Sequence, residues 1–407
     1  MSQLFDSILI ALRAIWANKL RSFMTVLGNI VAVTSIVTVV SLIQGMNGMV
    51  TSAILTDVGG DTFVVQRFPP IRTDEEEERM RNNPLITLDE ADAIQAFSPV
   101  VKSVMAQASR GATVGYGTQE LDNINIQGVT SDYLDFSTFD AERGRMPSAV
   151  EVERSQPVAL IGYDVADRLF GQTNPLDKSI RIAGISFRVV GVSKPKGAFF
   201  GQSQDAFAVI PLGAYMRLFG ARQSLSLVVK PTSADELQNA IDDATVALRV
   251  KRRLKPGEAD NFGVFTSATI LGLYERATSG IFGVLVGVVA LSLVVGGIVI
   301  MNIMLLVVSE RTREIGLRKA LGARRADIMS QVLTESVTLS VFGGIVGIGL
   351  GFLLSLAIAA VSPLPARLEP WSIIVAVLIT AGVGLFFGAY PASRAASLDP
   401  IEALRRE

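Results

Sequence analysis

Four apolar runs, each uncharged at its centre, decide what this chain can fold into. The first, Phe23 to Ile43, reads "FMTVLGNIVAVTSIVTVVSLI"; Ile281 to Val308, Val337 to Val361 and Trp371 to Ala389 follow it. A membrane span needs about 20 such residues, because lipid offers no partner for an exposed backbone N–H or C=O. Charged residues make up only 18% of the 407, against roughly 25% in soluble domains, which points the same way. The runs are arranged as one, then a long polar excursion over 46–280, then three.

Basic residues fix the orientation. They gather before the first run (Arg13, Lys19, Arg21), between the second and third, and after the fourth (Arg394, Arg405, Arg406). Those segments are expected in the cytoplasm, with 46–280 and the short "SPLPARLEP" loop outside and both termini inside. The first run is too long for a signal-peptide core and no A-x-A-like site follows it, so it reads as an uncleaved anchor. Before it, Leu4, Phe5, Ile8, Leu9, Leu12, Ile15 and Trp16 recur at helical spacing, which predicts an interfacial amphipathic helix over 1–21. A simple extension of the first span is the alternative. The expected spans are 22–45, 281–308, 331–361 and 371–389, with a cytoplasmic loop at 309–330 and a tail at 390–407.

The excursion is long enough for its own core. "DTFVVQRF", "DNINIQGV", "QPVALIG", "KSIRIAGISFRVVGV", "DAFAVIPL" and "SLSLVVKP" are short β-branched or alternating runs between turn residues. Helical stretches separate some of them: "TLDEADAIQAF", "DYLDFSTF", "YDVADRLFG" and "SADELQNAIDDATVALRVKRRL". Grouped strands favour an α+β domain over a wound parallel sheet. Two lobes are expected, one from about 46–115 with 222–275, the other from about 116–221. The acidic run Asp74 to Glu78 beside Pro69, Pro70 and Pro84 reads as a solvated loop face.

Composition removes most chemistries. With no Cys and no His there is no disulfide, thiol nucleophile, imidazole base or His/Cys zinc site, and carboxylates are nowhere spaced as a metal site. An enzyme is therefore not expected. The net charge of −1 gives no reason to expect nucleic acid as a partner. No ionisable group sits in a span centre, which argues against an ion-coupled transporter or a wide hydrophilic pore. The spans instead carry small residues four apart: Gly283 and Gly287, then Gly343, Gly347 and Gly351, then Gly384 and Gly388. Such spacing lets helix backbones approach closely, within the chain or between subunits.

The densest basic segment, "VVSERTREIGLRKALGARRADIM", lies between the second and third spans. Glu314 and Arg318 form a favourable i,i+4 pair; Ile315, Leu317, Ala320 and Leu321 supply apolar contacts, and Gly322 is placed to end a short helix. A topology signal or a lipid-binding patch needs only Lys and Arg. Glu310 and Glu314 amid Arg311, Arg313, Arg318 and Lys319 suggest a protein-docking surface, with a plain positive-inside loop as the alternative.

"SERTREIGLRKALGARRADIMSQVLTES" closely resembles the signature of the MacB/FtsX/LolC-type permeases of ABC transporters. "LRAIWANKLRSFMTVLGNIVAVTSI" resembles the family's first span, "GAYPASRAASLDPIEALRRE" its tail, and "KSIRIAGISFRVVGV" with "DAFAVIPL" its outside domain. The resemblance covers essentially the whole chain. It implies a four-helix membrane protein of the bacterial inner membrane, with a large two-lobed α+β domain, one lobe porter-like, inserted between helices 1 and 2. It implies that the 309–330 segment (Glu310, Arg311, Arg313, Glu314, Ile315, Gly316, Arg318, Lys319, Ala320, Leu321 and Gly322) is a coupling helix docking on an ATPase. Some family members carry a fused ATPase, but no G-x-x-x-x-G-K-[ST] phosphate loop occurs here. The resemblance then implies a separate ATPase dimer that binds the ATP and Mg, no cofactor on this chain, and a second permease copy or homologue. The function implied is coupling of the ATPase cycle to extracytoplasmic movement, for efflux or extraction of substrate from the periplasm or outer leaflet. A periplasmic adaptor and outer-membrane channel are the further partners an efflux role would bring. The alternative output is FtsX-like control of cell-wall hydrolases. A membrane sensor would need a cytoplasmic signalling domain, and the inside segments are short.

Overall fold

The computed structural model describes residues 19–58, 60–69, 78, 80–136, 140–199, 202–367 and 369–405. The expected interfacial helix up to residue 18 and the acidic run apart from Glu78 lie outside them. The chain divides into two compact units, Met1–Met49 with Ala277–Glu407, and Val50–Arg276.

Helix α1 runs Lys19–Val58, and β1 follows at Phe63–Gln66. The second unit is an α+β domain built on one ten-stranded mixed sheet. Its strands are β1, β2 (Val101–Tyr116), β3 (Gln119–Val129), β4 (Ala141–Gly144), β5 (Val158–Ile161), β6 (Ser179–Ile182), β7 (Ile185–Ser193), β10 (Phe207–Pro211), β11 (Ser226–Pro231) and β12 (Gly263–Thr266). A separate two-residue hairpin pairs β8 (Ala198–Phe199) with β9 (Gln202–Ser203). The large sheet reads β12-β1-β11-β2-β3-β10-β5-β7-β4, with β6 pairing both β2 and β7. The end segments of the excursion thus supply one half of the sheet and its middle supplies the other, joined by the long β2–β3 ladder. Alternation sorts the faces: Phe63, Val65, Ala106, Ile124, Ile126, Ala208, Leu227 and Val229 enter the main core. Over it lie α2 (Leu88–Phe97), α4 (Tyr163–Phe170), α5 (Leu212–Phe219) and α6 (Leu237–Lys251), which contribute Ile94, Leu169, Tyr215 and Leu248.

Local chemistry explains the helix starts. Thr87 and Glu90 form a capping box on α2, and the same Glu90 takes the buried Arg252 Nε at 2.6 Å. Arg252 also donates to the Asn261 backbone and side-chain oxygens, so one guanidinium ties α2, the end of α6 and the approach to β12. The five-residue α3 (Ala149–Glu153) opens on a second box, Ser148 with Glu151. Arg145 grips Glu151 at 2.7 and 2.8 Å, and Arg188 lies 3.8 Å away. That hydrogen-bonded guanidinium holds the Glu151 carboxyl down at about 2. Burial, then the Glu151 charge, push the neighbouring Tyr133 phenol upward. The expected helix in "DYLDFSTF" is instead a 3-10 turn, Ser131–Asp135, that seats Tyr133 with its hydroxyl donating to the Pro147 carbonyl.

Among the described residues, four helices are long and apolar enough to span a bilayer: Val26–Ile54 within α1, α7 (Ser267–Glu310), α9 (Arg325–Val361) and α10 (Pro370–Ser397). Between α7 and α9 lies α8 (Thr312–Ala320), and α11 (Pro400–Arg405) closes the chain. The seam between α1 and α9 is built on glycine. A Cβ on Gly343 would stand 2.4 Å from Val26 Cγ1, on Gly347 2.8 Å from Val33 Cβ, and on Gly351 2.9 Å from Val37 Cβ. The bared carbonyls become acceptors: Asn29 Nδ2 donates to Ser340 O at 2.6 Å, Thr34 Oγ1 to Gly347 O and Thr38 Oγ1 to Gly351 O, both at 3.2 Å. On the other side of α9, Gly384 and Gly388 of α10 meet Ser340 and Ser336, and Ser336 Oγ donates to Gly384 O at 3.0 Å. Gly28 and Gly296 bring α1 and α7 together, a Cβ on Gly28 lying 3.0 Å from Gly296 Cα. Gly283 and Gly287 meet nothing within 4 Å among the described residues.

Two outcomes follow from these contacts. Gly347→Leu forces α1 off α9 and costs about 1–3 kcal/mol, the usual penalty of overpacking. Thermal unfolding of the detergent-solubilised chain should show a clear fall for Gly347→Leu and none for Gly349→Leu, whose position is open. For Glu151, the folded value lies below the ordinary 4.5, so its stabilisation is full above about 4.5 and disappears as pH falls toward 2. The difference in melting temperature between the native chain and Glu151→Gln should therefore shrink across that window; a difference unchanged from pH 5 to pH 2 would refute the assignment.

Candidate functional site

The segment from Ser309 to Asp327 is built as a helix held against a scaffold. Helix α7 ends at Glu310, and the backbone leaves helical geometry at Arg311 (φ −95, ψ 16). Thr312 opens α8 and donates its hydroxyl back to Val308 O and Ser309 O, at 3.0 and 2.8 Å. At the far end Gly322 takes φ +102, the left-handed conformation that a side chain resists, and its N–H reaches Lys319 O at 3.1 Å. Asp327 then caps α9 by accepting from Arg324 N at 2.9 Å.

One face of α8 is tied down. Ile315 is buried with Ile300, Met304, Val308, Ile328, Val332, Ala392 and Ala395. Gly316 admits α11: a Cβ there would lie 2.6 Å from that of Ala403. Lys319 Nζ donates to Ala396 O at 2.8 Å and Leu398 O at 2.6 Å, placing a cation on carbonyls that the end of α10 leaves unpaired. Arg318 bridges Glu314 and Gln331, both at 2.6 Å, and Arg311 reaches Glu335 at 3.3 Å. Arg311, Glu314, Arg318, Lys319 and Asp327 are thus engaged in internal ties. None of these links was visible from spacing except Glu314 with Arg318.

The other face is open. Glu310, Arg313, Glu314, Ala320 and Gly322 are exposed, and Leu317 and Leu321 stand 52% and 81% exposed one turn apart. Helix α11 adds Ile401 at 77% and Leu404 at 42%. Two leucines presented with mixed charge have the composition of a docking ridge. Beside it, a cleft of about 310 Å³ is lined by Arg394, Asp399, Glu402 and the α7–α8 junction. Among the described residues no group of three Asp or Glu could hold a metal ion.

The sequence reading missed the tail's part in the site: Ala403 against Gly316, and the α10 carbonyls under Lys319. Asn29, Thr34 and Thr38 also contribute without a sequence signal of charge, since all three are uncharged. Their signal was the four-residue step from Thr34 to Thr38, the same as from Gly347 to Gly351.

Comparison with known proteins agrees with this architecture. Residues 22–246 match the MacB-like periplasmic core domain, and residues 286–400 match the FtsX-like permease C-terminal domain. The macrolide export ATP-binding/permease protein MacB of Bdellovibrio bacteriovorus is 36% identical over 394 residues, covering 96% of this chain and 60% of that protein. The chain spans about three fifths of the MacB relatives it matches. The uncharacterized ABC transporter permease YknZ of Bacillus subtilis is 31% identical over 411 residues, covering 99% of this chain and 100% of that one. The crystal structure of the extracellular domain of YknZ from Gram-positive bacteria covers 50% of this chain and 100% of its own, at 23% identity and a TM-score of 0.42. With one domain model matched over more than half its length and a whole permease aligned from end to end, the chain belongs to the MacB/FtsX-like family of ABC transporter permeases.

Proposed function

We propose that this chain converts the cycle of an ABC ATPase into movement of its extracytoplasmic domain, without catalysing a reaction itself. The observation that carries this reading is the division of α8 into a tied face and an open one. A rigidly held helix that presents Leu317, Leu321, Arg313 and Glu314 is suited to receive a push and pass it on. The unit boundaries near 49 and 277 fall inside α1 and α7, so each helix continues from the membrane unit into the sequence of the other unit. Force applied at the end of α7 therefore has an unbroken helical backbone to follow.

ATP and Mg belong, on this reading, to an ATPase outside these 407 residues, which contain no phosphate loop. A second permease subunit, identical or homologous, completes the assembly, with Gly283 and Gly287 on an open helix face. The uncharged span centres favour work done on substrate outside the membrane or in its outer leaflet over passage through a hydrophilic conduit. The name of the MacB relatives, macrolide export, supports efflux as the output.

Two measurements test the proposal. Purification of the tagged chain from its native membranes should recover an ABC ATPase. The Leu317→Asp, Leu321→Asp double variant should recover at least about tenfold less of it, as expected when interface-core apolar groups are replaced by charge. Both positions are exposed, so the variant's melting temperature should match the native chain's. Equal recovery would reduce the segment to a topology signal. Orientation is tested separately in this cysteine-free chain: Cys at Gln119 should react with an impermeant maleimide in intact spheroplasts, and Cys at Arg313 only after permeabilisation. Labelling of the Arg313 position from outside would invert the topology.

A further inference from the structure

The second unit contains a groove whose lining has an unusual composition. It holds about 360 Å³, within the roughly 300–1,000 Å³ range of ligand sites. Its floor is a face of the large sheet, where β1, β11, β2 and β3 lie side by side. Toward one end this face is apolar and packed: Val64, Val228, Met105 and Val129 belong to the smaller core. One pleat step further along each strand, the same face carries Gln66, Ser226, Gln107 and Gln127. The register places Val64 opposite Val228, Val228 opposite Met105, and Ser226 opposite Gln107. Gln66 Nε2 donates to Ser226 Oγ at 3.0 Å. Gln107 and Gln127 are half-buried, yet no described residue hydrogen-bonds to their side-chain amides.

One wall is Lys196 with Gln204, two positions tied to each other's neighbours by hydrogen bonds. The buried Asp205 carboxylate accepts from Lys196 N at 2.8 Å and Gly197 N at 2.9 Å, and Gln204 N donates to Gly197 O at 2.9 Å. Lys196, its ammonium 5.4 Å from the centre of the Phe207 ring, is the one charged residue among the described residues lining the groove.

We infer that this groove binds an uncharged stretch of extended peptide, reading its main chain through the amide side chains. The argument rests on hydrogen-bonding chemistry. Each glutamine offers one acceptor and two donors, the complement of a peptide group's own donor and acceptor. Amides already shielded from part of their water and left without internal partners gain more from a ligand than fully hydrated ones do. The absence of acid groups and the single cation fit a neutral chain better than a polycation or a metal. An oligosaccharide is disfavoured by the described lining: sugar faces stack on exposed aromatic surface, and Phe207, the one aromatic among the described residues lining the groove, is only 4% exposed. The inference does not depend on how α8 meets an ATPase.

The test uses the full chain in lipid nanodiscs. A phage-displayed random heptapeptide library is panned on it, and enriched sequences are synthesised with a fluorescent label for anisotropy titration. The enriched cores should be uncharged. Their affinity should fall at least about tenfold on Gln107→Glu, Gln127→Glu, and by a similar factor when alternate peptide nitrogens are methylated, because each change removes paired hydrogen bonds. Neither half-buried amide has a partner to lose among the described residues, so an unchanged melting temperature checks that the variant is folded. Failure to enrich any peptide, equal binding to the native and variant chains, or indifference to N-methylation overturns the inference. So does binding of chitohexaose that the glutamine substitutions abolish while no peptide competes, which would make this a glycan site.

Discussion

The membrane unit depends on the bare backbone of α9 at Gly343, Gly347 and Gly351. Lipid supplies no hydrophobic driving force between helices, so association must come from close packing and from hydrogen bonds that the approach permits. Here both come from the same residues. The missing side chains let Val26, Val33 and Val37 settle onto α9, and they expose carbonyls that Thr34 and Thr38 reach. Restoring a Cβ at either of the last two positions would remove the packing and the hydrogen bond together. On its opposite side α9 meets Gly384 and Gly388 of α10 through Ser336 and Ser340. α9 is therefore the central member, with small or hydroxyl residues on both of its working faces.

The segment from Ser309 to Asp327 inherits its rigidity from that arrangement. Helix α8 has a strongly polar sequence and only nine residues, too short to persist in water unaided. It is fixed by burying Ile315 between α7, α9 and α10, and by Lys319 on the last carbonyls of α10. Charges in this segment therefore divide into two kinds that the sequence alone does not separate. Lys319, Arg318 and Arg311 bind the segment to its own chain, whereas Arg313 projects freely enough to meet another. On the proposed function, Lys319→Ala would act on docking only by loosening the helix that presents Leu317 and Leu321.

Legibility in the sequence followed how local the determining physics is. The span runs, the Thr87 capping box and the alternation in "SFRVVGV" are set by residues within a few positions, and each could be read directly. Strand β2 could not: "VKSVMAQASRGATVGY" contains Gly111, Gly115 and five alanine or serine residues, and lacks clean alternation. It becomes the longest strand because β11 and β6, both far away in sequence, pair with it alongside its hairpin partner β3. The same holds for the site. The i,i+4 pair of Glu314 with Arg318 was legible; the grip of Lys319 on Leu398 spans most of two further helices and was not.

The two units also handle polarity differently, for a reason rooted in solvent. In the second unit a full ion pair, Glu90 with Arg252, is buried, and it is tolerable because Thr87 N, Asn261 and the Phe262 ring share the charge. Breaking such a pair by removing one partner is costly, about 3–5 kcal/mol, since the other charge remains behind. The described span centres contain no such pair and use hydroxyls and one asparagine in its place. A hydroxyl-to-carbonyl bond at 3.2 Å can be broken and remade as helices slide without leaving a charge in hydrocarbon. A seam of this kind suits helices that must hold together and still shift by small amounts. The buried ion pair instead holds α2, the end of α6 and the approach to β12 in one arrangement.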